Sequence, residues 1–366
     1  MTADVPKVCR AAPAVGAGKP DYKIVCREDY PVPTPGEGEL LVNLEYCGIC
    51  QSDHHQFAGD WHGIQPAEGV DCTGHEGAGR VVAVGPKVTQ FKVGDKVGLT
   101  PVYKTCNDKL GQELCEMCQR GHETICFNKV YLAMGVNGTY TSYPLISEQW
   151  AIRIPDGVPM EQAAPFMCSG GTAYTAVKAA GLKKGEWLAV FGAGGGVGHM
   201  VVQFAHAQGF KVIGIDVGED KAKVVKEAGG DHFVDATNPN AIEEVKKLTG
   251  DGLGTHAVIV TAGNGKAYAA APYVLRPLGV QVTVGLPANG EAIAGADPGY
   301  IVFMGITIKG ILVTTRKDME EALEYLKNGQ VKEHITVYPF SYFPEALANV
   351  AASKTNGRQV IEFLRD

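Results

Sequence analysis

The sequence predicts an α/β protein with two parts, a β-rich region and a doubly wound parallel sheet. First, the chain has 366 residues, which is long for one hydrophobic core and typical of two domains. Second, residues 22–100 contain short runs of alternating apolar residues broken by Gly and Pro. Third, from about residue 172 short apolar strands alternate with helical patterns, as in an open parallel sheet.

Charge and composition argue against several classes of function. The net charge is −7, from 33 basic and 40 acidic residues, which leaves no basic face for nucleic acid or a membrane. The N-terminal segment lacks the apolar run of a signal peptide, and no stretch approaches about 18 uninterrupted apolar residues. We therefore expect a cytoplasmic protein, in which ten cysteines indicate metal binding rather than disulfides.

Strands of the β-rich region are predicted where apolar residues alternate. In chain order these segments are YKIVCRED, ELLVNLEYCG, GAGRVVAVG and KVGDKVGLT. Turns this frequent favour a compact, barrel-like arrangement. A cysteine-rich insert follows at residues 106–126.

The second part begins with a predicted helix, TAYTAVKAAGL. Two short apolar strands, WLAVFG and KVIGID, flank the helical segment GHMVVQFAHAQG, which gives a β-α-β unit with a right-handed crossover. The segments HAVIVTA, GVQVTVGLP and TIKGILV continue the parallel sheet. The C-terminal segment predicts a helix, a loop, a second helix and a final strand.

A glycine-rich turn, VFGAGGGVGHM, joins the first of these strands to its helix. Glycines let the backbone turn tightly and approach a pyrophosphate, which then faces the helix N-terminus. The run is one residue longer than G-x-G-x-x-G, and a glycine cluster by itself is equally consistent with a turn that binds nothing. The flanking β-α-β pattern favours cofactor binding by Gly192, Gly194, Gly195, Gly196, Val197 and Gly198.

An acidic residue follows the turn at the spacing that ribose recognition requires. Asp216 ends the strand KVIGID, 18 residues after Gly198, where a carboxylate hydrogen-bonds the adenosine ribose hydroxyls. A carboxylate there repels a 2′-phosphate, so the sequence predicts NAD rather than NADP. Lys221 is equally consistent with a contact along the ribose and with a solvated lysine at a helix start.

The cysteine-rich insert has the spacing of a zinc site. Cys115, Cys118 and Cys126 form C-x2-C-x7-C, which in a cytosolic chain favours tetrahedral zinc over three buried unpaired cysteines. We predict Cys106 as the fourth ligand, because the intervening NDKLGQEL suits a loop that brings it back. The rival is Glu113, which stands too close to Cys115 for unstrained geometry. Four thiolates would close the coordination shell and make the site structural.

A second set of metal-type residues is scattered along the chain. In YCGICQSDHH, Cys47 and Cys50 are consistent with a redox couple, half of a four-cysteine site, or one ligand beside an unrelated thiol. Taken singly, His75 and Cys168 are more often packing residues. Together with Cys50 they would form a Cys2His set with an open fourth position, the ligand class of catalytic zinc.

Several motifs in order resemble one enzyme family. They are GIC-x-SD-x-H, GHEGAG, the cysteine cluster, APFMCSGGTAY, the GAGGGVG turn, IDVGEDK and the closing GRQVIEF. From about residue 21 to the C-terminus the chain resembles the zinc-dependent medium-chain alcohol dehydrogenases, most closely the yeast and fungal branch. The resemblance implies a β-rich GroES-like catalytic domain at 1–165 and 306–366, with the structural zinc loop at 106–126. It implies a Rossmann NAD-binding domain at 166–305.

The resemblance also assigns the catalytic metal site. It implies that Cys50, His75 and Cys168 bind catalytic zinc and that Cys47 is a bystander. Glu76 matches an acid behind this zinc that ligates it transiently. The cofactors implied are therefore NAD and two zinc ions per chain, one catalytic and one structural.

Further roles follow from the same resemblance. Ser52 and His55 match a proton relay that runs through a hydroxyl, the cofactor ribose and a histidine. Asp53 matches the carboxylate that orients the zinc-binding histidine, and Arg358 in GRQVIEF matches a cofactor contact. His54 is interpreted as a surface residue without a role.

Three departures from the family pattern are visible. Gln51 stands where relatives often carry a basic residue against the pyrophosphate, and Gln112 stands where the first structural-zinc cysteine is expected. Pro101 and Val102 lie near the position of a large aromatic residue that narrows the pocket of the yeast enzyme, although Trp61 is retained. A partly opened pocket suggests an alcohol bulkier than ethanol.

Three functional hypotheses remain open from sequence. The leading one is a zinc-dependent, NAD-linked alcohol dehydrogenase or aldehyde reductase acting on small-molecule alcohols or aldehydes. The second is a polyol or thiol-adduct dehydrogenase on the same fold, and the third a non-catalytic NAD-binding or zinc-binding relative. Relatives form dimers or tetramers through the edge of the Rossmann sheet, so we expect a homo-oligomer.

Overall fold

The chain divides into two units, each assembled from separate stretches of sequence. The computed structural model describes residues 5–108 and 113–364. The first unit comprises Met1–Gly171, Val313–Lys327 and Ile335–Asp366, and the second Thr172–Leu312 and Asn328–His334. The divisions at Gly171 and Leu312 fall a few residues after the expected domain limits of 165 and 305. The short segment Asn328–His334, expected in the catalytic domain, belongs to the second unit.

The N-terminal part of the chain is rich in short strands, as the alternating pattern predicts. Its elements are β1 (Val8–Ala11), β2 (Ala14–Val15), β3 (Lys23–Ile24), β4 (Arg27–Pro31), β5 (Glu39–Ile49), α1 (Gln51–Ala58), β6 (Gly77–Val84), β7 (Lys96–Leu99), β8 (Val102–Lys104), α2 (Glu116–Gln119), β9 (Val130–Tyr131), β10 (Leu145–Ser147), β11 (Ala151–Arg153), α3 (Met160–Phe166) and α4 (Ser169–Ala180). The segment YKIVCRED, predicted as one strand, forms the separate strands β3 and β4.

Strands and helices then alternate. The elements are β12 (Trp187–Phe191), α5 (Gly198–Ala207), β13 (Lys211–Asp216), α6 (Glu219–Glu227), β14 (His232–Asp235), α7 (Ala241–Leu248), β15 (Thr255–Val260), α8 (Gly265–Ala270), β16 (Leu275–Thr283), α9 (Pro298–Met304) and β17 (Thr307–Gly310). The C-terminal segment forms α10 (Arg316–Lys327), β18 (Ile335–Pro339), α11 (Phe343–Ala351) and β19 (Arg358–Glu362). Strand β18 occupies what the sequence predicts as a loop.

The main sheet of the first unit is built around its longest strand, β5. Among the described residues this sheet has seven strands in the order β11-β7-β6-β5-β19-β18, with β10 also paired to β5. Strand β19 lies antiparallel to β5, so the end of the chain completes the sheet that the N-terminal part begins. A buried apolar core that includes Leu44, Phe57, Trp150 and Phe343 packs against it.

The second unit, which is described in full, contains a six-stranded parallel sheet in the order β14-β13-β12-β15-β16-β17. The chain order reverses between β12 and β15, which is the topological switch point where doubly wound sheets bind ligands. These observations confirm the predicted fold class. No helix among the described residues is long and apolar enough to cross a membrane.

Candidate metal and cofactor sites

The start of α1 is built from the same residues that carry the first candidate site. Strand β5 ends at Ile49, and Cys50 caps the helix that follows. The side chain of Asp53, three residues later, accepts a hydrogen bond of 3.0 Å from the backbone N–H of Cys50. This reciprocal cap fixes the Cys50 thiol at the junction of strand and helix. The helix ends at Gly59 in the left-handed conformation, with φ 75°.

Four metal-type side chains meet in the interior of the first unit. One ligand atom from each of Cys50, His75, Glu76 and Cys168 lies within 4.8 Å of all the others, and the four residues are buried. His75 Nε2 is 3.3 Å from the Cys168 sulfur. The structure therefore brings together residues that are up to 118 positions apart in the sequence.

A buried carboxylate organises this cluster. Asp53 is fully buried and accepts hydrogen bonds from the backbone N–H groups of Cys50 and Gly74 and from the Tyr140 hydroxyl, at 3.0, 3.2 and 2.9 Å. Its Oδ1 also lies 3.0 Å from His75 Nδ1. Because an ionised carboxylate only accepts, Nδ1 carries a hydrogen, and Nε2 is the nitrogen that faces the Cys168 sulfur and could bind a metal.

The electrostatics of His75 reflect this arrangement. Burial is the largest influence and opposes a charged imidazole, but Asp53 and Cys50 together raise the pKa of His75 well above its ordinary value, so a metal must displace a proton from Nε2. Gly74 has φ 87°, and a Cβ there would lie 2.3 Å from the Tyr140 ring. Tyr140 therefore needs glycine at position 74 in order to reach Asp53. Sequence reasoning missed Tyr140, since nothing in its local sequence marks it.

One carboxylate oxygen of Glu76 is paired with an arginine, and the other has no hydrogen-bond partner among the described residues. Arg358 Nη2 lies 2.6 Å from Glu76 Oε2, and both side chains are buried. Glu76 Oε1 has no hydrogen-bond partner among the described residues. Burial, partly offset by Arg358, raises the pKa of Glu76 to about 8. A Cβ at Gly48 would lie 2.7 Å from the Glu76 carboxyl carbon, so a side chain there would displace this group.

The two cysteines of the C-x-x-C pair have different surroundings. A hydrogen bond from the Cys168 thiol lowers the pKa of Cys50 well below its ordinary value, despite burial. Cys47 is fully buried in β5, between Gly77 of β6 and Ile361 of β19. Burial raises the pKa of Cys47 well above its ordinary value. The pair therefore combines an activated thiol with an inert core thiol.

The cysteine-rich insert forms a second cluster of ligand atoms. The sulfurs of Cys106, Cys115, Cys118 and Cys126 lie within 4.8 Å of one another. Glu113, the rival of Cys106, is exposed, while residues 109–112, including Gln112, lie outside the described part of the chain. The structure thus places Cys106 with the three clustered cysteines.

Backbone N–H groups point at these sulfurs. The amide of Cys115 is 3.4 Å from the Cys106 sulfur, and the amides of Cys106 and Asn128 are 3.4 and 3.3 Å from the Cys126 sulfur. Hydrogen bonds from the amides of Cys118 and Phe127 lower the pKa of Cys115 to about 6. Such donors favour the thiolate that a metal requires, whereas burial raises the pKa of Cys118 and Cys126, so a metal would have to displace their protons.

The glycine-rich turn lies in the second unit, at the carboxyl end of β12. Gly192 has φ 78°, and a Cβ there would lie 2.9 Å from the backbone nitrogen of Ala262. At Gly198, the first residue of α5, a Cβ would lie 2.0 Å from the Gly192 oxygen. Glycine at these positions lets the backbone turn tightly and leaves the N-terminus of α5 open to a phosphate.

Asp216 ends β13 beside this turn. Its two carboxylate oxygens accept hydrogen bonds of 2.9 Å from the amides of Gly194 and Val217. Asp216 also lines a cleft of about 510 Å³ with Thr237, Ile242 and Lys266 among its other residues. The cleft lies within the second unit and suits a flat, partly apolar ligand.

Lys221 lies against the turn and not in open solvent. Its Nζ is 3.3 Å from the Gly194 oxygen, and burial lowers its pKa. A Cβ at Gly194 would lie 2.7 Å from the Lys221 side chain. The conformation of the turn and the position of this lysine are therefore linked.

Comparison with known proteins is consistent with these sites. Family models match an alcohol dehydrogenase GroES-like domain at residues 36–156 and a zinc-binding dehydrogenase at residues 196–328. The chain is 40% identical over 336 residues to an alcohol dehydrogenase of Schizosaccharomyces pombe, covering 92% of this chain and 93% of the relative. It is 37% identical over 325 residues to one of Geobacillus stearothermophilus, covering 89% and 92%. A solved NAD-dependent alcohol dehydrogenase matches with TM-score 0.84 and 26% identity, covering 96% of this chain and 99% of that one.

A GroES-like unit with a buried cluster of zinc-type ligands and a Rossmann unit with a glycine-rich turn are features of the zinc-dependent, nucleotide-linked oxidoreductases. The chain belongs to the zinc-dependent medium-chain alcohol dehydrogenase family. The chain is 40% identical to the fungal relative and 37% identical to the bacterial one, so sequence identity favours the predicted fungal branch only weakly.

Proposed function

We propose that this protein is an alcohol dehydrogenase or aldehyde reductase that uses NAD and a catalytic zinc held by Cys50, His75 and Cys168. The buried Cys2His set, with its histidine fixed by Asp53, carries the proposal. Zinc sites with three protein ligands of this kind leave a position for substrate. Oε1 of Glu76, which has no hydrogen-bond partner among the described residues, supplies a further possible ligand atom for the metal in the same cluster.

The residues around this site have separable tasks. When bound, zinc acts as a Lewis acid that lowers the pKa of an alcohol hydroxyl. Asp53 holds the His75 tautomer, and Arg358 holds one oxygen of Glu76 in place. The buried pairing of Arg358 with Glu76 supports a role for this arginine in positioning the metal site, in addition to the expected cofactor contact.

The proton of the alcohol must leave a dry site. Ser52 and His55 lie on α1, one and four residues after its first residue, and both side chains are partly exposed. We assign Ser52 as the hydroxyl that takes the proton and His55 as the imidazole that passes it to water.

We further propose that Cys106, Cys115, Cys118 and Cys126 hold a second, structural zinc. Four thiolates complete a tetrahedral shell and leave no open position. The amides directed at Cys106 and Cys126 support this assignment, since they stabilise negative sulfur. Both metal sites require reduced cysteines, which supports a cytoplasmic location.

The carboxylate of Asp216 supports NAD over NADP. We expect Asp216→Ser to weaken NAD⁺ binding by about 10–100-fold, because a hydrogen bond to a charged group contributes about 1.5–3 kcal/mol. Loss of the negative charge should also admit NADP⁺. The ratio of kcat/KM for the two cofactors measures both effects.

Asp231→Ser is the matched control for this change. Asp231 also accepts a backbone hydrogen bond, at 2.7 Å from the amide of Val212, but it precedes β14 and does not line the cleft. We expect it to keep the wild-type cofactor ratio. A wild-type preference for NADP⁺ would refute the assignment of Asp216.

We propose an alcohol bulkier than ethanol, on the basis of Pro101 and Val102 at the position of the large aromatic residue. A panel from ethanol to allylic and aromatic alcohols, with polyols and hydroxymethyl thiol adducts, measures the preference through NADH absorbance. The highest kcat/KM with ethanol would contradict the proposed substrate size. Turnover of only polyols or only hydroxymethyl thiol adducts would identify the protein as a polyol or a thiol-adduct dehydrogenase.

We also propose a homo-oligomer formed through the edge of the parallel sheet. Strand β17 is one of the two edge strands of that sheet, the other being β14. In α9, the helix before β17, Val302 and Phe303 are 75% and 92% exposed, and Leu278 of the neighbouring strand β16 is 80% exposed. An edge strand beside exposed apolar side chains suits pairing with a second copy.

Phe303→Asp should therefore shift the mass in solution towards the 38.8 kDa of one chain, because a charge would be buried in the interface. Analytical ultracentrifugation measures this mass. Leu253→Asp, at an exposed apolar residue elsewhere in the same unit, should leave the mass unchanged. A wild-type monomer would exclude the proposed oligomer.

A further inference from the structure

The end of α1 places a carboxylate against His55. Gly59 ends the helix in the left-handed conformation, and the amide of Asp60 then donates a hydrogen bond of 3.0 Å to the His55 carbonyl oxygen. This reversal of the chain puts Asp60 Oδ2 2.6 Å from His55 Nδ1. The two residues are only five positions apart, on either side of the helix end, so their contact depends little on the rest of the fold.

An aromatic ring holds the same imidazole on its face. The ring of Trp61 lies 5.0 Å from that of His55, centroid to centroid, at an angle of 32°. Trp61 is 5% exposed, whereas the side chains of His55 and Asp60 are 12% and 29% exposed. The ring is therefore oriented from two directions while a path to water remains.

The tautomer of His55 follows from this contact. An ionised carboxylate accepts hydrogen bonds, so Nδ1 of His55 carries a hydrogen and Nε2 presents a lone pair. A proton that arrives at Nε2 gives an imidazolium whose charge lies beside the Asp60 carboxylate.

We propose that Asp60 is the positioning residue of the proton exit, fixing His55 in the tautomer that accepts a proton at Nε2. The proposal rests on the function assigned above to His55. The O–H bond of the alcohol breaks, the proton reaches Nε2 through Ser52, and the imidazolium then loses it to water. Asp60 stays ionised throughout, and no bond to it forms or breaks.

The other titratable side chains near His55 have hydrogen-bond partners of their own. His54, whose ring centroid is 5.5 Å from that of His55, has its Nδ1 2.8 Å from the Tyr22 hydroxyl. Burial lowers the pKa of His54 and raises that of Tyr22, so both are neutral near pH 7. The carboxylate of Asp53 is hydrogen-bonded to His75 and Tyr140. Asp60 is thus the carboxylate that acts on His55 within the described residues.

Single-turnover NADH formation with purified holoenzyme, NAD⁺ and a turned-over alcohol tests the proposal. We expect His55→Ala to slow this step most, and Asp60→Asn to slow it by about 10-fold, within the range for residues that orient a functional group. Asp60→Ala should be slower than Asp60→Asn, because an asparagine oxygen still accepts the Nδ1 hydrogen. The zinc content and the KM for alcohol should stay at wild-type values.

The double variant His55→Ala/Asp60→Asn distinguishes positioning from a structural role. If Asp60 acts through His55, the double variant is as fast as His55→Ala. Tyr22→Phe, which removes the corresponding partner of His54, is the matched control and should keep the wild-type rate.

Each other outcome is decisive. A wild-type rate for Asp60→Asn, with His55→Ala slowed, would overturn the role of Asp60 and leave the relay standing. Additive losses in the double variant would show that Asp60 acts independently of His55. A wild-type rate for His55→Ala would instead refute the proposed relay itself.

Discussion

Cys50→Ser is expected to abolish alcohol oxidation and to remove one zinc ion per chain. Cys50 is the low-pKa thiol of the buried cluster, and it is held at the cap of α1 by Asp53. A serine hydroxyl is not ionised near neutral pH and is a poor zinc ligand. Changes to residues that merely orient zinc ligands already cost about 10–100-fold, so loss of a ligand should cost more than about 100-fold. Metal analysis and steady-state rates measure the two effects.

Cys47→Ala is the matched control for this variant. Cys47 is three residues away and equally a cysteine, but it packs in the core between β6 and β19. We expect wild-type zinc content and activity, with a small loss of stability from the cavity. Equal zinc loss in the two variants would overturn the choice of Cys50 over Cys47.

Cys106→Ala is expected to lower zinc towards one ion per chain and to reduce thermal stability substantially. The four sulfurs of the cysteine-rich insert lie within 4.8 Å of one another, so removal of one opens the shell. Structural zinc contributes about 10–16 kcal/mol in zinc-finger peptides. Even partial loss therefore exceeds the roughly 1 kcal/mol of an average point mutation. Calorimetry with zinc analysis measures both changes.

Activity at low temperature should survive Cys106→Ala, because the Cys50 cluster does not include this residue. Cys9→Ala is the control, since Cys9 is a buried cysteine that contacts the Thr141 hydroxyl and belongs to neither cluster. We expect it to keep both zinc ions. Unchanged zinc in Cys106→Ala, with reduced stability, would mean that Cys106 merely packs.

The sequence predicts those parts of the fold and sites that depend on local spacing. The glycine turn between WLAVFG and its helix forms at the end of β12, and the acid 18 residues after Gly198 lies beside it. The three clustered cysteines share one short loop region, so their spacing nearly determines their proximity. In such cases the geometry is set by a turn or by one strand.

Contacts between distant strands could not be predicted in this way. Tyr140 reaches Asp53 across 87 residues, and Arg358 reaches Glu76 across 282. The first contact joins a turn to helix α1, and the second depends on where strand β19 pairs in the sheet, neither of which local pattern and propensity determine. Gly48 shows the same limit, since its lack of a side chain matters because Glu76 lies against it.

Burial was equally hard to predict for isolated residues. The sequence places Val102 near the position of an aromatic residue that narrows the pocket in the yeast enzyme, and its burial in the core around Trp150 is not visible from the sequence. His54 is interpreted from sequence as a surface residue, yet it is partly buried and bonded to Tyr22. An apolar or aromatic residue in a short strand or helix fits a core and a pocket equally well.

A zinc bound by Cys50, His75 and Cys168 is expected to make this chain an NAD-linked alcohol dehydrogenase. The most direct test is NADH formation by the purified wild-type protein with the alcohol panel, before and after stepwise removal of zinc by a chelator. We predict two zinc ions per chain, NAD⁺ reduction with at least one alcohol, loss of activity with removal of one ion, and recovery when zinc is returned. Two results would contradict this function. One is alcohol oxidation that persists in the zinc-free protein. The other is a zinc-replete protein that is inactive with every alcohol and both cofactors.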